Sequence, residues 1–172
     1  MVKTSSLLIK CGDILDEEVD VLFCSANPML NMSGGVNGTI LQRGGASVQA
    51  ELREFIAKKG GPKWVLPCTV VKTGPGPLPV KHILHCVAID GFYKSSHEMV
   101  VNTLTEAFEQ AIALEAKTIA VPALATGFGP LSVTQFAQAL KETLEKYGSS
   151  FREIRFVLFK ESHLKEAIAV FQ

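Results

Sequence analysis

The stretch Val19-Asp20-Val21-Leu22-Phe23-Cys24-Ser25 runs without a break into Ala26-Asn27-Pro28, and Ser33-Gly34-Gly35-Val36-Asn37-Gly38 then opens a short helical stretch. A short apolar run, a turn of Asn, Pro and Gly, and then a helix make a strand–loop–helix unit. The apolar residues of the run fall on both parities (Val21 and Phe23, Leu22 and Cys24), as a strand covered by helices on both faces requires. That reading sets the fold class, and the rest of the chain follows it.

On either side, Ser6–Lys10, Thr69–Lys72, His82–Ile89, Thr118–Pro122 and Ile154–Phe159 read as further strands. Amphipathic helices alternate with them. Val48, Leu52, Phe55 and Ile56 recur at helical spacing, as do Val100, Leu104, Ala107, Phe108 and Ala111. Ser95-Ser96-His97-Glu98 and Ser132-Val133-Thr134-Gln135 each read as a capping box, whose side chains satisfy free backbone N–H groups at a helix start. Phe136, Leu140 and Leu144 follow the second box, and Gly148 is the expected stop. Leu164, Ile168 and Phe171 mark a last helix. Thr73-Gly74-Pro75-Gly76-Pro77-Leu78-Pro79 is expected to form a rigid turn between two strands. Strands alternating with helices, without repeats or a long linker, define a layered α/β domain spanning residues 1–172.

Composition excludes several classes. The chain has 172 residues, 47% of them hydrophobic, and its 17 basic and 17 acidic residues cancel. Its positive mean hydropathy suits a packed domain rather than a disordered one. A general nucleic-acid binder would carry a basic excess. No apolar stretch approaches the roughly 20 residues that span a bilayer, and the N-terminal run is too short for an export signal. Cys11, Cys24, Cys68 and Cys86 are scattered without a CxxC pair, so reduced thiols and a cytoplasmic location are expected. His82 and His85, three apart on a strand, point to opposite faces and suit no shared metal. No metal site and no cofactor are expected.

Three segments follow predicted strands, where ligands of layered α/β domains bind. Gly12-Asp13-Ile14 is either a plain surface turn or one whose carboxylate accepts from an exocyclic amine. In the second, Asn27 offers an amide to sugar hydroxyls, and Gly34-Gly35 bares N–H groups at a helix start, where an anion is favoured. A flexible loop is the other reading. In the third, Pro122-Ala123-Leu124-Ala125-Thr126-Gly127-Phe128-Gly129-Pro130, two glycines let the backbone wrap a phosphate, with the Thr126 hydroxyl nearby. Neither glycine loop matches GxxxxGK[ST] or GxGxxG. Neither contains Lys or Arg, so a pyrophosphate held between them would rest on backbone amides. Cys24, at a strand end, is a buried small hydrophobe or, with a histidine brought close by the fold, a nucleophile.

Taken in order, Gly-Asp-Ile, the apolar strand, Ser-Ala-Asn, Gly-Gly-Val-Asn-Gly and Pro-Ala-Leu-Ala-Thr-Gly resemble the macrodomain family. The likeness continues through His82–Cys86 to Phe156-Val157-Leu158-Phe159. It implies a three-layer α/β/α sandwich with a central mixed, mostly parallel sheet, and binding of ADP-ribose. By the same resemblance, Asp13 would bond the adenine amine beside the Ile14 backbone, and Phe159 would pack on the adenine ring. Gly34, Gly35 and Val36 would line the phosphates and adjoining ribose, and Ala125, Thr126, Gly127 and Phe128 the second phosphate loop. Asn27 would hold the terminal ribose. The family commonly writes Asn-Ala-Ala-Asn where this chain has Cys24-Ser25-Ala26-Asn27. MacroD-type hydrolases carry Asp where Asn37 stands, and an amide cannot act as a base. The aromatic of the second loop also comes one residue early, at Phe128.

The expected function is therefore binding of ADP-ribose, free or as mono-ADP-ribosyl groups on proteins. The alternative is a hydrolase that removes mono-ADP-ribose from proteins or acts on ADP-ribose 1″-phosphate, with Asn27 and Asn37 as its catalytic candidates. Binding of single-stranded RNA through the adenine pocket is a third reading, opposed by the balanced charge. The expected partner is ADP-ribose or a mono-ADP-ribosylated protein, with no membrane.

Overall fold

The structure is a computed structural model that describes the backbone of residues 2–4 and all of residues 6–43 and 45–172. In chain order the elements are β1 (Val2–Thr4), β2 (Leu7–Cys11), β3 (Val19–Ser25), α1 (Gly35–Gln42), α2 (Ala46–Lys59), β4 (Val70–Thr73), β5 (Val80–Cys86), α3 (His97–Ala113), β6 (Thr118–Val121), α4 (Val133–Tyr147), β7 (Glu153–Leu158) and α5 (Glu161–Phe171). Short 3-10 turns occupy Ile14–Asp16 and Gly148–Ser150.

The strands form one sheet in the order β1-β2-β7-β6-β3-β5-β4. Neighbours from β2 to β5 in that order are parallel, whereas β1 and β4 run antiparallel at the two edges. The β4–β5 pair is the hairpin closed by the expected Gly- and Pro-rich turn.

Alternation of side chains across the sheet makes two cores. Val21 and Phe23 join Ile119, Val121, Ile154 and Phe156 under α3, α4 and α5. Leu22 and Cys24 join Ile83, Ala120 and Val157 under α1 and α2. Three layers result, as expected. Phe23 and Leu22, both fully buried, each contribute roughly 1.5–3 kcal/mol by leaving water. The Phe23 ring meets Phe108 of α3 edge-on at 5.5 Å. One charge is drawn inside: buried Glu17 lies 2.7 Å from Lys10 and 2.8 Å from Arg155, so β2, β7 and the turn before β3 share one ion-pair network.

Several local expectations are corrected. Ser96, not Ser95, caps α3 by accepting from Met99 N–H at 3.1 Å. Residue N3 is then Met99, so no reciprocal box forms, and Ser95 Oγ donates to the Ala88 carbonyl at 2.6 Å. The Ser132–Gln135 box is present in both directions. The helix α4 does stop at Gly148 as expected, and at φ −59 and ψ −35 that residue leads into the 3-10 turn. Phe55, on the expected apolar stripe of α2, is exposed while Val48 and Leu52 are buried.

Candidate functional site

Because β2, β7, β6, β3 and β5 are mutually parallel, their carboxyl ends share one edge of the sheet. All three segments singled out in the sequence therefore lie along that edge, each after a different strand. Reading along the sheet, Asp13 follows β2, Phe159 follows β7, Ala123–Pro130 follow β6, and Asn27 and Gly34 follow β3.

At the β2 end, Gly12 N–H donates to the Leu158 carbonyl at 2.9 Å and continues the β2–β7 pairing by one residue. That bond sets Asp13 beside Phe159. Asp13 caps the 3-10 turn, its Oδ1 accepting from Leu15 N–H at 2.9 Å. Its Oδ2 is 3.7 Å from Arg43 Nη2, and that same guanidinium nitrogen donates to Asp16 Oδ1 at 2.9 Å. Ile14, the first residue of the 3-10 turn, is buried. Phe159 lies one residue past β7 and is 79% exposed. A ring so exposed beside a carboxylate is free to stack on a flat ligand, and it is not a core residue.

At the β3 end, Ala26 N–H donates to the Cys86 carbonyl at 3.0 Å. Asn27 Nδ2 donates to the carbonyl and Oδ1 of Asn31, at 3.1 and 2.9 Å. Asn31, which the sequence reading passed over, thus holds the Asn27 amide, and only its i+4 spacing across Pro28 hinted at it. Gly34 caps α1 at φ +68, a left-handed conformation that favours glycine. A Cβ there would approach Phe128 Cε2 to 3.1 Å. The Phe128 ring, 72% exposed, therefore bridges the two glycine loops.

The β6 loop is shaped by a close approach. Ala125 adopts φ +60, and its carbonyl accepts from Leu131 N–H at 3.1 Å. A Cβ on Gly129 would lie 2.3 Å from that carbonyl oxygen, so only glycine fits. The Thr126 hydroxyl donates to the Ala123 carbonyl at 2.7 Å, which leaves its lone pairs, not its proton, for a ligand. A Cβ on Gly127 would meet nothing within 4 Å. The start of α1 at Gly34 meets this loop through the Phe128 ring, and Arg43 is engaged with Asp16.

Asn37 takes an unexpected role. It lies in α1, is buried, and donates from Nδ2 to the Ser25 carbonyl while its Oδ1 accepts from Cys24 Sγ at 2.7 Å. Both ends of the amide thus tie α1 to the last residues of β3. Cys24 follows the first of its two readings, a buried small hydrophobe. Its register partner on β5 is His85, the spatial neighbour a nucleophile would need. Burial, however, pushes the Cys24 thiol up to about 12 and the His85 imidazole down to about 4. Burial favours the neutral form of both groups, whereas the thiolate is the nucleophile. His85 instead shares a 2.9 Å bond with the Thr73 hydroxyl.

Among the described residues no group of three or more His, Cys, Asp and Glu is placed to hold a metal ion, and no described helix is long and apolar enough to cross a membrane. A recess of about 430 Å³ opens beside Arg43, lined by Leu15, Asp16 and Pro77–Pro79, apart from the glycine loops.

A mixed sheet with two glycine turns meeting at the carboxyl ends of its parallel strands defines a class of nucleotide-type binding folds. The Macro domain family model matches residues 24–140, and the chain belongs to that family. It is 34% identical to a macro domain-containing protein of Caldanaerobacter subterraneus subsp. tengcongensis, across 93% of this chain and 91% of that one. A macro domain-containing protein of Listeria monocytogenes is 33% identical, across 90% of each. Among solved structures, a mutant Oceanobacillus iheyensis macrodomain with ADP-ribose superposes with a TM-score of 0.86 at 22% identity, covering 96% of this chain and 91% of that one. A Trypanosoma brucei macrodomain in complex with ADP-ribose gives 0.82 at 20% identity, covering 96% of this chain and 69% of that one.

Proposed function

We propose that this chain binds ADP-ribose, free or as mono-ADP-ribosyl groups on proteins, along the carboxyl edge of its sheet, with residues 1–172 acting as one module. The observation that carries this is the placement of an exposed acceptor and ring (Asp13, Phe159), two touching glycine turns (Gly34–Gly35, Ala125–Gly127) and an amide (Asn27) in line on one edge. That succession matches a purine, a pyrophosphate and a terminal ribose. Asp13 Oδ2 accepts from the adenine amine and the Phe159 ring covers the base. Backbone N–H groups of Gly34, Gly35, Val36 and the β6 loop surround the pyrophosphate, which needs no basic side chain when the donors are preorganised. Phe128 closes over the join. The solved relatives that hold ADP-ribose support the same ligand.

The binding reading is preferred over hydrolysis because the Asn37 amide is turned into the core and committed at both ends. Neither it nor Asn27 is a base, so neither activates water by taking its proton. Four free cysteines suit a cytoplasmic setting, where thiols stay reduced. Titration with ADP-ribose, followed by incubation with a mono-ADP-ribosylated protein, tests the reading. Saturable binding without release of ADP-ribose is expected. Release would make the chain a hydrolase, and absence of binding would remove the site assignment.

A further inference from the structure

Beyond the crevice, the segment following α2 carries an apolar and cationic face with no described partner in the fold. It leaves the helix through Gly60 and Gly61, at φ +67 and +69. Val65 N–H donates to the Pro28 carbonyl at 2.8 Å, directly after Asn27, and Cys68 N–H donates to the Val87 carbonyl at 2.8 Å. Both bonds pin the segment to the carboxyl edge of the sheet, at the Asn27 end of the crevice. Val65 is buried, yet its neighbours Trp64 and Leu66 are 46% and 66% exposed, and Met29 on the adjoining loop is 57% exposed. Lys63 on the segment and Lys59 at the end of α2 are exposed, and residues 60–68 contain no carboxylate. Glu54 pairs with Lys58, at 2.7 Å, rather than with either of them.

Large apolar side chains held out of the core by a fixed backbone, beside unopposed positive charge, fit a partner that offers apolar and acidic groups together. We propose that Lys59, Lys63, Trp64, Leu66 and Met29 form a docking shelf for the polypeptide part of a mono-ADP-ribosylated protein, and that this part is an acidic segment carrying an apolar side chain. The inference rests on the reading that ADP-ribose lies in the crevice with its terminal ribose at Asn27. The polypeptide leaves the ligand at that ribose, so it emerges beside Met29 and Trp64. Free ADP-ribose does not extend to the shelf.

The test uses the full chain and three probes: free ADP-ribose, a peptide joined to ADP-ribose by a non-hydrolysable linkage with Glu and Leu in its flanks, and the same conjugate with Lys in place of Glu. The acidic conjugate is expected to bind more tightly than the basic one, with the difference shrinking at high salt. Trp64→Ala and Leu66→Ser should each weaken the acidic conjugate by about five- to tenfold, as a contact near the centre of an interface does, and leave free ADP-ribose unchanged. Combined Lys59→Glu and Lys63→Glu should invert the preference between the two conjugates. Equal binding of both conjugates by the wild type overturns the shelf, as does unchanged conjugate affinity in all these variants. So does a charge-reversed variant that loses an oligoadenylate but keeps the acidic conjugate, which would make the surface a nucleic-acid site. Failure of the wild type to bind free ADP-ribose is a different result, because it removes the crevice reading and the shelf together.

Discussion

Replacing Asn37 by Asp would restore the residue that MacroD-type hydrolases carry, and the structure predicts that the chain pays for it in stability. The Asn37 Nδ2 group donates to the Ser25 carbonyl at the end of β3, and a carboxylate has no proton to give there. Losing that bond and leaving a partly buried carbonyl facing a carboxylate oxygen costs about 2–4 kcal/mol, from the penalty of an unsatisfied acceptor plus the lost bond. The new carboxyl is buried, so its folded-state pKa is raised above the roughly 3.9 of an exposed aspartate. A group with a raised acid pKa favours the folded state while protonated. Its cost is therefore smallest at low pH and grows as pH rises from about 4 through the folded pKa. Thermal melts of wild type and Asn37→Asp between pH 4 and 8 give the readout. At neutral pH the variant should melt roughly 5–15 °C lower, since about 1 kcal/mol corresponds to 2–4 °C for a chain of this size. The gap should narrow toward pH 4. A variant that melts with the wild type at pH 8 would refute the inward-facing amide. A gain in ADP-ribose release by such a stable variant would further show that position 37 faces the ligand.

Other consequences follow from the same geometry. Asp13→Asn keeps an oxygen for Leu15 N–H but replaces a charged acceptor, so calorimetry should show ADP-ribose weakened by about 1–3 kcal/mol with little change in melting temperature. Gly129→Ala drives a methyl group to 2.3 Å from the Ala125 carbonyl, and the forced shift of the loop should cost about 1–3 kcal/mol of stability and lower affinity together. Asp20, hydrogen-bonded first to Lys81 and then to the N–H groups of Lys117 and Thr118, has its carboxyl held down to about 2. Its contribution is complete above the unfolded value and is lost as pH falls from about 4 through 2, so Asp20→Asn should cost about 1–2 kcal/mol at pH 7 and progressively less below pH 4. Burial depresses the His85 imidazole to about 4, so stability should decline as pH drops from 6.5 toward 4, and His85→Gln should flatten that part of the melting profile.

The fold was legible because the strands bury both faces: Val21 and Phe23 on one parity and Leu22 and Cys24 on the other leave no alternative to a covered sheet. The positions of Asp13, Asn27, Gly34 and Ala125–Phe128 were legible for a related reason, since each directly follows a strand. What local pattern missed was set by contacts distant in sequence. The Ser95 signal failed because Ser95 is drawn to the Ala88 carbonyl, leaving Ser96 to cap. Asn37 read as a catalytic candidate, and its bonds to Cys24 and Ser25, set by the packing of α1 on β3, were not legible in local pattern. The steric need for Gly129 comes from the fold of Ala125 back upon it. Phe128 and Phe159 were placed at the ligand by the family resemblance alone, and no local pattern told that both rings stand in solvent.

Calorimetric titration of the wild-type chain with ADP-ribose tests the central claim most directly. One saturable site is expected, weakened in Asp13→Asn and indifferent to Trp64→Ala. No heat of binding, or binding that Asp13→Asn leaves unchanged, would contradict the assignment of the sheet's carboxyl edge as the ADP-ribose crevice.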